Sequence, residues 1–448
     1  MKRLFGTDGI RAVAGEPPLD PPTVRKFGAA LAEVLHSLGS GGDGCRVVIG
    51  RDTRESGHWL SDAVVAGLAS RDVEATDAGV ISTPGLAHVL QVGRFQAGVM
   101  ISASHNPFED NGLKVFGSQG AKLSDRTEQE IEKLILDDGL ADPGEGNGEA
   151  TGGPELVREY LGHLAEVVAP PGCLAGLRLV LDCANGSASA LAPEIFRGQG
   201  AIVETIGTDP NGRNINLDCG SLHLDSLARA VVDAGADAGL AFDGDADRCL
   251  AVDRKGRVVD GDCILYITGR RLKRDGGLRH DALVATIMSN FWLEERLAAD
   301  GIELHRAPVG DKYVLEKMTA ENLVLGGEQS GHVIFRDYAS TGDGILTGLK
   351  LLEAHVSGPS IEETLDDIEP YPQVLLNVRV REKPDLRAHS RIGPVVVEVE
   401  SALDGRGRVV LRYSGTEPKA RVMIEGKDPE SVNQLATKLA DVIERELG

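Results

Sequence analysis

Three times along this chain a short apolar run stops at a polar loop of small and charged residues. Gly98-Val99-Met100-Ile101 runs into Ser102-Ala103-Ser104-His105-Asn106-Pro107. Ala238-Gly239-Leu240-Ala241-Phe242 runs into Asp243-Gly244-Asp245-Ala246-Asp247-Arg248, and Leu323-Val324-Leu325 into Gly326-Gly327-Glu328-Gln329-Ser330-Gly331-His332. Buried strands of this kind alternating with helical periods build βαβ units, whose functional loops sit at the C-terminal ends of strands. The helical spacing of Val24, Phe27, Leu31, Leu35 and Leu38 precedes the strand Arg46-Val47-Val48-Ile49-Gly50, which ends in Arg51-Asp52-Thr53-Arg54. The pattern restarts at Arg178-Leu179-Val180-Leu181-Asp182 and again at Ala282-Leu283-Val284-Ala285-Thr286, the latter followed by a helix over 291–297.

From Tyr371 the texture changes. Strand-like runs over 374–381, 408–413 and 420–425 lead into an amphipathic helix over Pro429–Leu447. The expected fold class is α/β: three related α/β domains with mixed sheets plus a C-terminal α+β domain, arranged around a central cleft. The expected limits are 1–154, 155–254, 255–369 and 370–448. The glycine-rich acidic stretch 137–154 reads as a loop or domain link.

A chain of 448 residues exceeds what one core serves, since domains run to roughly 100–150 residues. Its 56 glycines suit many tight strand-to-helix turns. A formal charge of -22 argues against nucleic acid as a partner, because phosphate-backbone binding needs clustered Lys and Arg. No apolar run is long enough to span a membrane, and Met1-Lys2-Arg3-Leu4-Phe5-Gly6 turns polar before a signal core develops, so a cytoplasmic location with no membrane partner is expected. The six cysteines are scattered without a CxxC pair and read as buried free thiols.

Asp243, Asp245 and Asp247 alternate in one loop, an all-oxygen set suited to Mg²⁺. A solvated acidic turn and a nucleophilic Asp243 are the rival readings. An EF-hand fails, because Arg248 stands where its glycine is needed and Arg254 where its bidentate Glu belongs. Ser104 by itself is a turn residue; a cation loop, Lys114 and arginine-rich turns around it form a coherent set for phosphoryl transfer, which is mostly positioning and charge neutralisation. Glu328 and Ser330 can read sugar hydroxyls. Arg412-Tyr413-Ser414-Gly415-Thr416-Glu417-Pro418, answered by Arg421, has the makings of a phosphate nest.

These loops, in this order and at about this spacing, together with Phe5-Gly6-Thr7-Asp8-Gly9-Ile10-Arg11 and Met288-Ser289-Asn290, resemble the α-D-phosphohexomutase superfamily over essentially the whole chain, and within it the bacterial amino-sugar branch. The resemblance implies a phosphorylated Ser104, with Asp243, Asp245, Asp247 and a phosphoserine oxygen holding one Mg²⁺. It implies that Arg248 and Lys114 flank the transferred phosphoryl, that Arg11 and His105 line the serine loop, and that Glu328 and Ser330 bind sugar hydroxyls. Arg412, Ser414, Gly415, Thr416 and Arg421 would then grip the non-reacting phosphate. The implied reaction interconverts glucosamine 6-phosphate and glucosamine 1-phosphate through glucosamine 1,6-bisphosphate, which, or a related hexose bisphosphate, serves as activator. The product leads toward UDP-N-acetylglucosamine and cell-wall precursors.

The implied partner is a phosphosugar, and the implied assembly a monomer or homodimer. Sister enzymes for mannose or glucose phosphates and a non-catalytic phosphosugar sensor are the alternatives. Lys114, Asp311 and His332 all stand as candidates for the general base. Ala12 and Lys312 depart from the superfamily pattern, where Gly and Arg are usual; Lys312 would loosen phosphate steering for want of a guanidinium fork.

Overall fold

The computed structural model describes the chain apart from residues 1–3, 7, 41–43, 94, 137–139, 141–143, 145–147, 169–171 and 415–417. Four sheets follow one another along it. The first holds β1 (Phe5–Gly6), β2 (Gly9–Val13), β3 (Arg46–Arg51), β4 (Glu74–Val80), β5 (Ala97–Ile101), β6 (Asp110–Gly117) and β7 (Thr151–Gly152). The second holds β8 (Arg178–Asp182), β9 (Ile202–Ile206), β10 (Ala238–Phe242), β11 (Cys249–Asp253) and β12 (Val258–Val259). The third holds β13 (Ala282–Thr286), β14 (Glu303–Ala307), β15 (Leu325–Gly327) and β16 (Val333–Phe335); the last holds β17 (Gln373–Arg379), β18 (Gly407–Tyr413) and β19 (Lys419–Gly426).

The first three sheets share one four-strand unit. In each, a central strand (β3, β8, β13) is flanked by two parallel neighbours, and the neighbour on one side (β5, β10, β15) is followed by an antiparallel return strand (β6, β11, β16). The serine loop, the three-aspartate loop and the Glu328 loop are therefore the same hairpin connection in three copies. Each contains a left-handed residue: Ser104 (φ 53°), Ala246 (φ 55°) and Gly331 (φ 88°). The mixed sheets and the threefold restart are as the apolar runs foretell.

The interiors are drawn from those same runs. β5 and β10 are buried at every position, as expected of strands covered by helices on both faces. The helix Gly344–Ser357 places Leu346, Leu349 and Leu352 in one hydrophobic cluster with Leu240 and Cys249 of the second sheet and Val333 and Phe335 of the third. The second and third units thus share a core, while the last unit keeps its own, built from Val378, Val409, Val422, Ile392 and the helix Pro429–Leu447.

Three details differ from the sequence reading. β15 begins at Leu325, because the Leu323 N–H still closes the preceding helix on Met318 O at 2.8 Å. Within the stretch read as a link, Thr151–Gly152 adds to the edge of the first sheet, aided by the Thr76 and Thr151 hydroxyls 3.1 Å apart. The second sheet runs past the expected limit at 254, because Val258 and Val259 pair back on Val252 and Ala251.

Candidate active site

Ser104 is 1% exposed at the tip of the β5–β6 loop, and its Oγ donates to Asp243 Oδ2 at 2.5 Å, with His105 Nδ1 at 3.2 Å. A left-handed serine is strained, and the loop is fastened on both sides of it. Its N–H donates to Ser102 Oγ at 2.9 Å, and Ser102 Oγ–H donates to Asp52 Oδ2 at 2.6 Å. The acidic loop can come this close only because residue 244 is glycine: a Cβ there would meet Ser104 O at 2.5 Å.

Among the described residues, Asp243, Asp245 and Asp247 form the one group fit to hold a metal ion, with a ligand atom from each lying within 4.8 Å of the others. Asp245 Oδ1 and Asp247 Oδ1 are buried without a hydrogen-bond partner. Burial, then the charges of Asp247 and Asp245, push the Asp243 carboxyl well above the ordinary range. Three crowded carboxylates with orphaned oxygens fit a divalent cation, which removes the repulsion and fills the free lone pairs. The Asp243–Asp245–Asp247 alternation is thereby a buried carboxylate cluster that could hold a metal ion rather than an exposed acidic turn: Asp243 and Asp245 are 0% exposed.

Cations ring the cluster. Lys114, on β6, donates to Asp245 Oδ2 at 2.7 Å and lies 3.2 Å from Asp8 Oδ2 and 3.6 Å from Asp247 Oδ2. Burial disfavours its ammonium, but Asp245, Asp8 and Asp247 outweigh burial and raise its pKa. Arg11, on β2, pairs with Asp8. Arg248 holds Asp243 Oδ1 through its backbone N–H at 3.1 Å and sets its Nε 3.8 Å from Asp247 Oδ1. Burial, with Arg248 and Arg11 close by, lowers the His105 pKa to about 4, so the imidazole facing Ser104 is neutral at pH 7.

The third loop completes this wall. Glu328 Oε1 accepts the Gly310 N–H at 3.0 Å, Ser330 Oγ donates to Glu328 Oε2 at 3.3 Å, and Gln329 is turned away onto Asp260 Oδ2 at 3.2 Å. His332 Nε2 accepts the Gly342 N–H at 3.0 Å, which puts the ring proton on Nδ1, 3.7 Å from Asp247 Oδ1. Burial opposes a second proton there, but Asp247, Asp311 and Glu328 raise the pKa to about 9; taking that proton requires the Gly342 N–H to let go.

The serine loop, the aspartates, Arg248, Lys114, Arg11 and His105 are thus in one place, with the Glu328 loop beside them. Arg412 and Arg421 face each other across β18 and β19 in the last unit, where burial and the neighbouring Arg421 lower the Arg412 pKa. Ser414 is buried next to them; Gly415 and Thr416 lie outside the described residues. Lys312 takes no part in the cluster: it reaches Asp125 on the first unit at 2.5 Å.

Several participants were not assigned from the sequence. Asp8 lies between Lys114, Lys122 and Arg11, while Lys122 bridges Asp8 Oδ1 and Asp311 Oδ2 at 2.6 Å each. Thr83 holds the acidic loop through Asp245 O at 2.9 Å. Only the strand-end position of Asp52 and Arg54 signalled a role in the sequence.

Comparison with known proteins gives the same arrangement a wider setting. Descriptions of phosphoglucomutase/phosphomannomutase alpha/beta/alpha domains I, II and III match residues 2–141, 158–256 and 260–371, and that of the C-terminal domain matches 375–442. A protein of Solibacter usitatus named phosphoglucosamine mutase is 51% identical over 100% of this chain and 99% of its own length; one of Lactobacillus helveticus with the same name is 46% identical over 100% of both. A phosphoglucomutase/phosphomannomutase family protein of Burkholderia thailandensis superposes with a TM-score of 0.79 at 23% identity, covering 99% of this chain and 98% of that one. An N-acetylphosphoglucosamine mutase of Aspergillus fumigatus, solved with GlcNAc-6P and magnesium, superposes at 0.69 with 20% identity over 99% and 96%. With all four domains matched in order and full-length relatives at such identity, the chain belongs to the phosphoglucomutase/phosphomannomutase family.

Proposed function

We propose that this enzyme is an isomerase that interconverts glucosamine 6-phosphate and glucosamine 1-phosphate by way of phospho-Ser104 and glucosamine 1,6-bisphosphate. The observation that carries the reading is the buried Ser104 Oγ, 2.5 Å from Asp243 inside the three-carboxylate cluster. The choice of amino sugar is supported by full-length relatives named phosphoglucosamine mutase at 51% and 46% identity.

In this reading the Ser104 Oγ–P bond breaks as a hydroxyl of the bound monophosphate forms its own bond to phosphorus. The hydroxyl proton passes to one of the three candidate bases, Asp311, Lys114 or His332, the last two only once they have given up the proton that their acidic neighbours hold on them, and the departing Ser104 Oγ takes up a proton in its turn. The bisphosphate then turns end over end, the other phosphate returns to Ser104, and the isomeric monophosphate leaves. Arg248 and Lys114 bring positive charge to the transferring group, and Arg11 and His105 line the loop. Glu328 and Ser330 hold sugar hydroxyls; Arg412, Ser414, Gly415, Thr416 and Arg421 hold the far phosphate. Asp243, Asp245 and Asp247 would hold Mg²⁺ with a phosphoserine oxygen, and the bound ion would neutralise charge on the phosphoryl group.

We place this action in the cytoplasm, on a phosphosugar, by a monomer or homodimer; no described helix is long and apolar enough to cross a membrane. Measuring kcat/KM for glucosamine, glucose and mannose phosphates tests the substrate. Preference for the glucosamine phosphates by at least about tenfold is expected; preference for glucose or mannose phosphate would overturn the choice.

A further inference from the structure

Asp52-Thr53-Arg54, the turn that ends β3, has no part in the chemistry above, yet Arg54 is among the largest fully buried side chains of the molecule. Its guanidinium pairs with the equally buried Asp52 and donates to two carbonyls of the serine loop, Asn106 O at 2.6 Å and Ser104 O at 3.2 Å. From the second unit, Asn216 Nδ2 donates to the same two carbonyls, at 2.9 Å to Ser104 O and 3.0 Å to Asn106 O. Asn216 is itself left-handed (φ 58°) and tied by its N–H to Ala184 O at 2.9 Å.

We propose that Arg54 and Asn216 are positioning residues that bracket the Ser104 and Asn106 carbonyls and so hold Ser104 in the left-handed conformation that aims its Oγ at Asp243. The inference rests on the reading of Ser104 as phosphoryl carrier. A left-handed serine needs a constraint on its carbonyl side as well as its N–H side. Ser102 and Asp52 supply the N–H side, with Asp52 shared between Ser102 and Arg54. Because the second carbonyl donor comes from another unit, the serine is aimed only when the first and second units are docked. That docking is fastened by Glu55 N–H to Gly212 O at 3.0 Å and Thr53 Oγ1 to Asn185 O at 2.5 Å, while the exposed Arg213 Nε–Glu55 Oε2 pair at 2.7 Å adds little to it.

The test compares Asn216→Ala and Arg54→Lys with wild type, using Arg213→Ala as a control that touches the same loop without reaching the carbonyls. Arg54→Lys keeps the charge facing Asp52, and Asn216 is only half-buried, so both variants should fold. Expected are a kcat lowered by about tenfold to about a hundredfold, a KM for glucosamine 6-phosphate within about twofold, a nearly unchanged Tm in Asn216→Ala, and in Arg54→Lys a loss of kcat at temperatures well below its own Tm, with Arg213→Ala retaining full kcat. Wild-type kcat in Asn216→Ala, a loss confined to KM, or a kcat that falls only as Tm falls would overturn the inference. Ser104→Ala, measured alongside, separates the two levels: if it is inactive while Asn216→Ala is normal, the bracket alone is wrong, and if it turns over fully, the reading beneath it is wrong as well.

Discussion

At the scale of the residue, the site is governed by how closely like charges are packed and what offsets them. Three carboxylates, two of them fully buried, stand against Lys114, Arg248 and Arg11. Chelation with EDTA should abolish turnover and Mg²⁺ restore it, whereas Asp245→Ala should stay inactive at the Mg²⁺ concentration that rescues wild type; equal rescue of the variant would remove Asp245 from the ligand set. Gly244→Ala should lower kcat by about a hundredfold with Tm little changed, because its Cβ meets Ser104 O at 2.5 Å and must push the serine away from Asp243. A variant of normal kcat would show that the two loops have room to spare. Ser104, Lys114, Arg248 and the aspartates were legible in sequence because charged and polar residues at strand ends have few structural reasons to be there. Asn216 was not: an asparagine among Asn211, Asn214 and Asp218 looks like any turn residue until the fold brings it 2.9 Å from a carbonyl far along the chain.

At the scale of the element, the strands were legible where burial on both faces makes an unbroken apolar run, as in β5 and β10. The helix Ile392–Ala402 was not, since Val395-Val396-Val397 carries β-branched residues that favour strands. Tertiary packing overrides that preference by burying Ile392, Val396 and Val399, spaced four and three apart on one helical face, in the last core. A second element carries a pH prediction. The helix Thr83–Val92 stacks His88 on His163 of the helix Pro154–His163, with ring centroids 4.2 Å apart. Tyr160, whose OH donates to Asp343 Oδ2, is the other ring facing His88. Burial, then His163, lowers the His88 pKa to about 4, and burial lowers that of His163 despite its bond to Tyr338 O. Both are neutral when folded at pH 7, whereas the unfolded chain takes up protons near pH 6.5. Their contribution is therefore fully present above pH 6.5 and lost as pH falls toward 4. The urea midpoint should drop over that window, and His88→Asn should flatten the drop; an unchanged pH slope would count against it.

At the scale of the molecule, three copies of one hairpin loop present three different sets of groups: Ser104 with His105, the three carboxylates, and Glu328 with Ser330. The repeat was visible as three restarts, but the shared core of the second and third units was not, because Leu346, Leu349 and Leu352 reveal their partners only once the helix Gly344–Ser357 is docked between two sheets. Leu349→Ala should cost about 2–5 kcal/mol, and the second and third units should still melt in a single step; two separable transitions in calorimetry would refute a common core. The proposed reaction turns on a phosphate at Ser104. Its most direct test is intact mass before and after incubation with glucosamine 1,6-bisphosphate, with the modified peptide located and turnover followed in parallel. A gain of one phosphate on Ser104, in step with activity, is expected; full turnover with Ser104 unmodified throughout, or with the phosphate on another residue, would rule out Ser104 as the phosphoryl carrier.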